Sequence, residues 1–172
     1  MKLQNKKITI LLEKQYQDLE VWYPYYRLKE AGAHVVFVAP QKGKEYKGKY
    51  GYPAIAEASI REVQGDEFDA VVIPGGFAPD FMRREPKIIQ FVRDAYRRGK
   101  IVAAICHGVW ILASSDIIRG KRVTCFYAIA DDIKNAGGVY VDEEVVRDGA
   151  IITSRKPDDL PAFCREIIGA LG

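Results

Sequence analysis

The residues best suited to chemistry are a cysteine and a histidine that stand side by side, Cys106 and His107, followed by Gly108. An apolar run leads into this pair and a second apolar run follows it, which predicts a strand that turns directly into a helix. Such a turn lifts its first side chain clear of the sheet, as in a nucleophile elbow. The positive end of the helix dipole would favour the thiolate, because cysteines so placed can have pKa values of roughly 3.5–7.5. His107 could act as a general base or stabilise that thiolate.

Each of these residues also has a purely structural interpretation. A small free cysteine is most often buried in a core, and a histidine in the first turn of a helix can simply hydrogen bond the backbone. Cys125, in a predicted strand, and Cys164, on the apolar side of the last predicted helix, are expected to be core residues. The strand–turn–helix pattern therefore favours Cys106 over the other two cysteines as the reactive thiol.

Other candidate residues follow two of the remaining predicted strands. Glu20 is expected in the first turn of a helix, where it would either face the thiol and carry a proton or be an ordinary surface charge. Gly75 and Gly76 could offer backbone N–H groups to an oxyanion, or form a plain turn. Asp80 could orient the histidine or cap a short helix. Functional groups in a parallel sheet gather beyond the carboxyl ends of its strands, so these residues are expected at one edge.

The elements that would position these residues alternate short apolar runs with amphipathic stretches. Strands are predicted over residues 8–12, 34–39, 69–73, 101–105 and 150–153. Helices are predicted from Asp18 to a stop at Gly32, over 87–98, over 109–114 and from Pro157 onward. An exposed hairpin is predicted over 41–52, and shorter elements near 122–126 and 129–135. Four apolar residues follow Asp18, a plausible N-cap, at helical spacing: Leu19, Trp22, Tyr23 and Tyr26. Buried Val, Ile and Ala runs separated by helices indicate a parallel sheet covered on both faces. The predicted fold is α/β and doubly wound, in a single domain over residues 1–172.

Composition excludes several classes of function. The chain has 172 residues, of which 48% are hydrophobic and 28% charged, and this suits one globular domain. Its 26 Lys and Arg against 23 Asp and Glu give a net charge of +3, which does not indicate a nucleic-acid partner. The apolar runs are too short for a membrane span, and the polar residues 1–7 predict no signal peptide. Three cysteines without a C-x-x-C motif favour a reducing cytoplasm, and two histidines outside zinc-like spacing predict no metal site. Without a G-x-G-x-x-G or Walker loop, no cofactor is expected.

The chain resembles the PfpI family of intracellular cysteine peptidases, within the glutamine-amidotransferase-like superfamily that also contains the Parkinson's-disease-associated deglycase and chaperone. The matching segments run in order along nearly the whole chain: Asp18-Leu19-Glu20, Tyr23-Pro24-Tyr25, Arg27-Leu28-Lys29-Glu30, Phe68-Asp69-Ala70, Pro74-Gly75-Gly76, Ala78-Pro79, Ala104-Ile105-Cys106-His107-Gly108, Asp131-Asp132, Asn135-Ala136-Gly137, Ser154-Arg155, Pro157 and Asp159-Leu160. The resemblance implies a flavodoxin-like fold of the class I glutamine amidotransferase type.

The resemblance also implies roles for the site residues. Cys106 would be the nucleophile, His107 its partner and Glu20 the carboxylate that contacts the thiol. The backbone at Gly75, Gly76 and the histidine would form the oxyanion site.

A neighbouring subunit supplies the acid of the triad in enzymes of this kind, and Asp80 matches that position. Homo-oligomers, either dimers or hexamers built from dimers, are therefore implied. The chain departs from the family where Asp80 stands in place of a frequent Glu, where Gln17 replaces an acidic residue, and where Phe126 replaces a Tyr of the peptidases. These departures bear on peptidase activity more than on the fold or the reactive cysteine.

The expected function is therefore a cytoplasmic cysteine-dependent hydrolase of PfpI type. It would act as a peptidase, or with deglycase or glyoxalase-like chemistry, on short peptides or on adducts of reactive carbonyls. The alternative is a redox-sensing stress chaperone that uses an oxidisable Cys106. Under either interpretation neither nucleic acid nor a membrane is expected as a partner.

Overall fold

The structure is a computed structural model that describes residues 2–172. Its strands are β1 (Lys7–Leu11), β2 (His34–Ala39), β3 (Glu45–Lys47), β4 (Pro53–Ile55), β5 (Ala58–Ser59), β6 (Ala70–Ile73), β7 (Ile101–Ile105), β8 (Arg122–Val123), β9 (Val139–Tyr140), β10 (Val145–Asp148) and β11 (Ile151–Ser154). Its helices are α1 (Asp18–Glu30), α2 (Ala78–Met82), α3 (Pro86–Arg97), α4 (Val109–Ser114), α5 (Ala130–Asn135) and α6 (Leu160–Leu171).

Seven strands form the central sheet in the order β10-β11-β7-β6-β1-β2-β5. All neighbours are parallel except the edge strand β10, which runs antiparallel to β11. The crossover through α1 moves outward from β1 to β2, whereas the crossover through α3 moves from β6 to β7 in the opposite direction. Since such crossovers are right-handed, the two helices cover opposite faces, with α6 packed beside α1 and α4 beside α3. The predicted doubly wound α/β fold is confirmed.

The register of the sheet places the candidate site. Ile73, the last residue of β6, pairs with Ala104 of β7, one residue before that strand ends. The turn that begins at Pro74 therefore lies beside the turn that begins at Cys106. Every residue of β6 and β7 is buried, as expected for central strands covered on both faces.

Several local predictions need correction. Helix α1 begins at Asp18, and its N-cap is Gln17, whose side-chain oxygen accepts the Leu19 N–H at 2.7 Å. The apolar spacing does not mark the face that packs on the sheet: Leu19 and Tyr26 are 57% and 60% exposed. The buried residues of this helix are Glu20, Val21, Pro24 and Leu28.

Other boundaries differ from the predicted ones by small shifts. Cys125 lies outside any strand, because β8 ends at Val123, yet it and Cys164 are fully buried as predicted. Helix α6 begins at Leu160, after a short 3₁₀ turn over Pro157–Asp159. The predicted hairpin is present as β3 paired with β4. Among residues 2–172 there is no helix long and apolar enough to cross a bilayer.

Candidate active site

Cys106 occupies a strained turn between a strand and a helix. It follows β7 directly and begins a 3₁₀ turn, Cys106–Gly108, which leads into α4. Its φ is +61°, a left-handed conformation that non-glycine residues rarely adopt and that persists where the surroundings enforce it. Gly108 permits the turn to pack on β6, because a Cβ there would lie 2.6 Å from the carbonyl oxygen of Ile73. The backbone geometry is that of the predicted nucleophile elbow.

This turn brings the two adjacent side chains together. The Cys106 Sγ lies 3.3 Å from the Nδ1 of His107. The imidazole stacks on Phe126, with ring centroids 5.0 Å apart, and meets the edge of Trp110 at 5.2 Å. Burial, with a smaller effect from the charge of Lys49, lowers the pKa of His107, so the ring is neutral at pH 7. A neutral imidazole beside a thiol can accept its proton but supplies no positive charge to stabilise a thiolate.

Glu20 lies under the same turn, fully buried. Its Oε2 accepts the N–H of Gly75 at 2.7 Å, while its Oε1 is buried without a hydrogen-bond partner in the part of the chain that the structure describes. Burial raises the pKa of Glu20 to about 8, against the opposing effects of the Gly75 amide, Lys49 and Cys106. The acid is therefore protonated at neutral pH and can exchange a proton near pH 8.

The Cys106 thiol has its own unfavourable environment for ionisation. Cys106 is only 7% exposed. Burial, and secondly the negative charge of Glu20, raise the pKa of the thiol to about 12, while the amides of His107 and Gly76 lower it. The amides at the helix end lower the pKa of the thiol, as expected, but burial outweighs them. Ionisation of this thiol depends on the protonation of Glu20 and on where the thiol proton can go.

The two candidate oxyanion glycines have different roles. The amides of Gly76 and His107 are directed at the Cys106 thiol and remain suited to an oxyanion next to it. The N–H of Gly75 donates to the Glu20 carboxyl at 2.7 Å, so in this structure it is not free to serve the oxyanion site. Gly76 has a φ of +77°, and a Cβ at this position would overlap the backbone of Gln17.

Asp80 lies on α2 at the rim of the site. Its half-exposed carboxylate forms an ion pair with Arg84, one turn further along the chain. In the region that the structure covers, the hydrogen bonds of Asp80 do not include His107. Asp80 does not cap α2 either, since the cap position is Phe77 and lacks a side-chain hydrogen bond. The single chain thus brings Asp80 to the same pocket as the histidine without joining the two.

These side chains line one pocket with a volume of about 420 Å³. Its walls also contain Gln15, Gln17, Phe77, Phe81, Trp110, Phe126, Pro157 and Lys49. Lys49 is the functional candidate that sequence reasoning missed, because it belongs to a basic and aromatic loop with the composition of a solvated hairpin. No local signal marks it, since only the tertiary contact between that loop and α1 brings it to the pocket.

A second cavity of about 550 Å³ lies between residues 60–66 and α3. Its walls contain arginine, lysine, aspartate and glutamine side chains but neither cysteine nor histidine. Within residues 2–172, no cluster of three or more His, Cys, Asp or Glu side chains has the spacing to hold a metal ion. The pocket at Cys106 is therefore the site with the groups for covalent chemistry.

Comparisons with known proteins agree with this geometry. A family model described as the DJ-1/PfpI family matches residues 6–170. Protein/nucleic acid deglycase 2 of Escherichia coli is 44% identical over 170 residues, which cover 98% of this chain and 99% of that protein. Deglycase PfpI of Pyrococcus furiosus is 42% identical over 165 residues, which cover 96% of this chain and 99% of the relative. The resemblance inferred from the motifs is confirmed.

Solved structures show the same fold. The crystal structure of a two-domain protein from Anabaena variabilis, containing DJ-1/ThiJ/PfpI-like and ferritin-like domains, superposes with a TM-score of 0.96 at 47% identity. The match covers 98% of this chain, which spans about half of that protein (48%).

Proposed function

The chain belongs to the DJ-1/PfpI family, and on that premise we propose that it is a cysteine-dependent hydrolase that removes reactive-carbonyl adducts from small amines and thiols. Relatives that are 42–45% identical over nearly their whole length are named deglycases, which supports a hydrolase of this type. The three free cysteines suit a reducing compartment, so we place its activity in the cytoplasm.

One observation carries the proposal. Cys106, in a strained left-handed conformation, lies against His107 Nδ1 at 3.3 Å and next to a buried Glu20 whose pKa is near 8. A nucleophile with two adjacent proton carriers is the arrangement that covalent catalysis requires. An acid with a pKa close to the working pH is well suited to give and take protons during turnover.

The proposed reaction begins with displacement of the amine by Cys106 at the carbinol carbon of an adduct between a dicarbonyl and an amine. The Sγ–C bond forms as the C–N bond breaks, and the thiol proton passes through Glu20 or His107 to the departing amine. This leaves a hemithioacetal on the cysteine. The amides of Gly76 and His107 can hydrogen bond the hydroxyl oxygen of this hemithioacetal, and they can stabilise the oxyanion that develops when water later attacks the thioester.

Glu20 then transfers the C–H proton of the hemithioacetal carbon to the neighbouring carbon, while the hemithioacetal hydroxyl proton passes to the ketone oxygen. The hemithioacetal carbon is oxidised to a thioester while the neighbouring ketone carbon is reduced to an alcohol, so no external oxidant is needed. Water adds to the thioester, the C–S bond breaks, and a hydroxy acid leaves as the thiol regains its proton. The net change is hydrolysis of the adduct to the free amine and a hydroxy acid.

The pocket supports small substrates. A volume of about 420 Å³ is near the lower end of the range of ligand sites, roughly 300–1,000 Å³. It suits one modified amino acid or a very short peptide. Phe126 stacks on His107 and stands where the peptidases have a tyrosine, so the tyrosine hydroxyl is missing from this pocket. This absence supports carbonyl-adduct chemistry over peptide-bond cleavage.

The redox-sensing chaperone is less favoured. Sensor cysteines combine exposure with a low pKa, whereas Cys106 is 7% exposed and its thiol has a pKa of about 12. A buried neutral thiol next to an acid oxidises slowly, because the thiolate is the form that reacts with oxidants.

We further propose that the working enzyme is a homo-oligomer in which Asp80 reaches His107 of a neighbouring subunit. Asp80 is half-exposed at the rim of the pocket and its partner within the chain is Arg84. A dimer or a hexamer of dimers would place a second copy against this rim.

The test is the Cys106→Ser variant with the methylglyoxal adduct of the side-chain amine of Nα-acetyllysine, with release of the hydroxy acid as the readout. The wild type should turn the adduct over and the variant should lose essentially all activity. Cys164→Ala serves as the control, because this cysteine is buried in α6 away from the pocket. Equal activity in the wild type and the Cys106→Ser variant, or none in the wild type, would refute the proposal.

A further inference from the structure

Lys49 is held at the pocket by a loop with unusually many backbone anchors. This loop, residues 48–52, joins β3 to β4 and is named here the strap. The Asp18 carboxylate accepts the N–H groups of Tyr50 and Tyr52, each at 3.0 Å. The N–H of Lys49 itself donates to the carbonyl of Tyr16 at 2.8 Å. The strap is therefore tied to the start of α1 and to the segment just before it, which leads from β1.

The packing of the strap leaves little freedom at its first residue. A Cβ at Gly48 would overlap the carboxylate of Asp18, so only glycine allows this close approach. The hydroxyl of Tyr16, a fully buried side chain, donates to the carbonyl of Tyr52 at the other end. With both ends anchored, the Lys49 side chain is directed to a wall of the pocket rather than left on a free loop.

The ammonium group of Lys49 is not in an ion pair with any of the acids around it within residues 2–172. The Asp18 carboxylate is occupied by two amides, Asp80 is paired with Arg84, and Glu20 is protonated at neutral pH. The ammonium group lies 5.2 Å from the centroid of the Tyr50 ring, which supports it without neutralising it. An ammonium has three N–H donors and suits an anionic partner.

We propose that Lys49 binds a carboxylate of the substrate, so that the enzyme selects small carbonyl adducts bearing a free carboxylate, such as adducts of amino acids or of peptide C-termini. This inference rests on the proposed function, because it names the substrate class of the same site. The carboxylate would lie on Lys49 while the carbinol carbon lies at Cys106. Lys49 is thus a specificity-determining residue that acts in binding, apart from the proton transfers assigned to Glu20 and His107.

A pair of alkylating agents tests the inference without turnover. Iodoacetate and iodoacetamide differ in one anionic group, and both can modify the thiol of Cys106. Peptide mass spectrometry distinguishes Cys106 from Cys125 and Cys164. The quantity measured is the ratio of their rates at Cys106. This ratio cancels any change in thiol ionisation, which alters both rates alike. The Lys49→Met variant should lower the iodoacetate-to-iodoacetamide ratio by about fivefold, the effect of one well-placed charge pair.

Lys47→Met is the matched control, since Lys47 is a neighbouring, exposed lysine that lies outside the pocket. Its ratio should equal that of the wild type. An unchanged ratio in Lys49→Met would overturn the inference, because Lys49 would then not attract the anionic reagent. An equal fall in both variants would also overturn it, because the effect would then come from the general surface charge.

Turnover provides the second readout. The wild type should have a higher kcat/KM for the methylglyoxal adduct of N-acetylcysteine than for that of N-acetylcysteine amide, and Lys49→Met should lose about the same fivefold preference. Retention of the preference in the variant, with both adducts still turned over, contradicts the role of Lys49 and leaves the proposed function intact. Absence of Cys106-dependent turnover in the wild type contradicts the proposed function, and the alkylation ratio then still decides whether Lys49 attracts a carboxylate.

Discussion

The Sγ of Cys106 and the Nδ1 of His107 lie 3.3 Å apart although the two residues are adjacent in the chain. Consecutive side chains of an extended strand point to opposite faces, so this contact needs a break in the strand. The φ of +61° at Cys106 provides it and turns both side chains into one pocket. The left-handed conformation of Cys106 therefore places the thiol and the imidazole in contact.

The first prediction concerns the charge that opposes ionisation of the thiol. Glu20→Gln keeps an oxygen for the Gly75 amide but removes the negative charge that raises the pKa of Cys106. Alkylation of Cys106 by iodoacetamide should become about tenfold faster above pH 8, where wild-type Glu20 is ionised, and change less below pH 7. Turnover should nevertheless fall by about 100-fold or more, because the proton carrier is gone.

The opposite directions of these two effects are the decisive feature. A merely structural role for Glu20 would change alkylation and turnover together. Alkylation rates and hydroxy-acid release are measured on the same preparation, and parallel losses in both would contradict the proposed role.

The second prediction links the same group to stability. Folding raises the pKa of Glu20 from 4.5 to about 8, so between these pH values the folded chain keeps a proton that the unfolded chain releases. The contribution of Glu20 to the free energy of unfolding therefore falls as the pH rises from about 4.5 to about 8 and is level above that. The advantage of Glu20→Gln over the wild type should grow to roughly 3–5 kcal/mol by pH 9.

Urea unfolding at several pH values measures this difference. Glu30→Gln is the control, because Glu30 lies on the same helix with a side chain that is 74% exposed. Its difference from the wild type should be nearly independent of pH. A pH-independent difference for Glu20→Gln as well would show that Glu20 titrates like an exposed acid.

The third prediction uses the space between Glu20 and Cys106. A Cβ at Gly75 would lie 2.6 Å from the Glu20 Oε2 and 2.8 Å from the Cys106 Cβ. Gly75→Ala should destabilise the protein by about 1–3 kcal/mol and displace the acid from the thiol, with a large loss of turnover. The same change at Gly169, in α6 with open space around it, should stabilise by about 0.5–1 kcal/mol and keep activity. Thermal unfolding and turnover are measured for both variants. Full activity in Gly75→Ala would contradict the close packing of Gly75 between Glu20 and Cys106.

The fourth prediction tests whether Asp80 acts on a neighbour. Asp80→Ala and Cys106→Ser should each have low activity alone. In hybrid oligomers, a subunit with an intact cysteine receives Asp80 from its partner, so co-expression should restore about a quarter of wild-type activity for random dimers. Co-expression of Asp80→Ala with the double variant Asp80→Ala/Cys106→Ser is the control and should restore none. If the first mixture recovers no activity, Asp80 does not act on the site of a neighbouring subunit.

The fold could be predicted from the sequence because each central strand is buried on both faces and must be apolar throughout. The runs at 70–73 and 101–105 fulfil this condition, and the small residue Gly108 after the second run marks the elbow. The buried face of helix α1 could not be predicted in the same way, because its aromatic residues recur on a face that the sheet does not cover. The residue that α1 buries beneath the turn of Cys106 is an acid, Glu20, against the usual rule for helices.

By itself the sequence determined the α/β class, the order of the elements and the strand–turn–helix at Cys106, because these depend on local runs and on turn residues adjacent in the chain. Only the tertiary structure decided that the Gly75 amide donates to Glu20, that burial suppresses the thiolate, and that Lys49 reaches the pocket. Each of those properties depends on residues from segments far apart in the chain, whose distances and solvent exposure exist only after folding. The periodicity of one segment carries no information about the charge that another segment will place beside it.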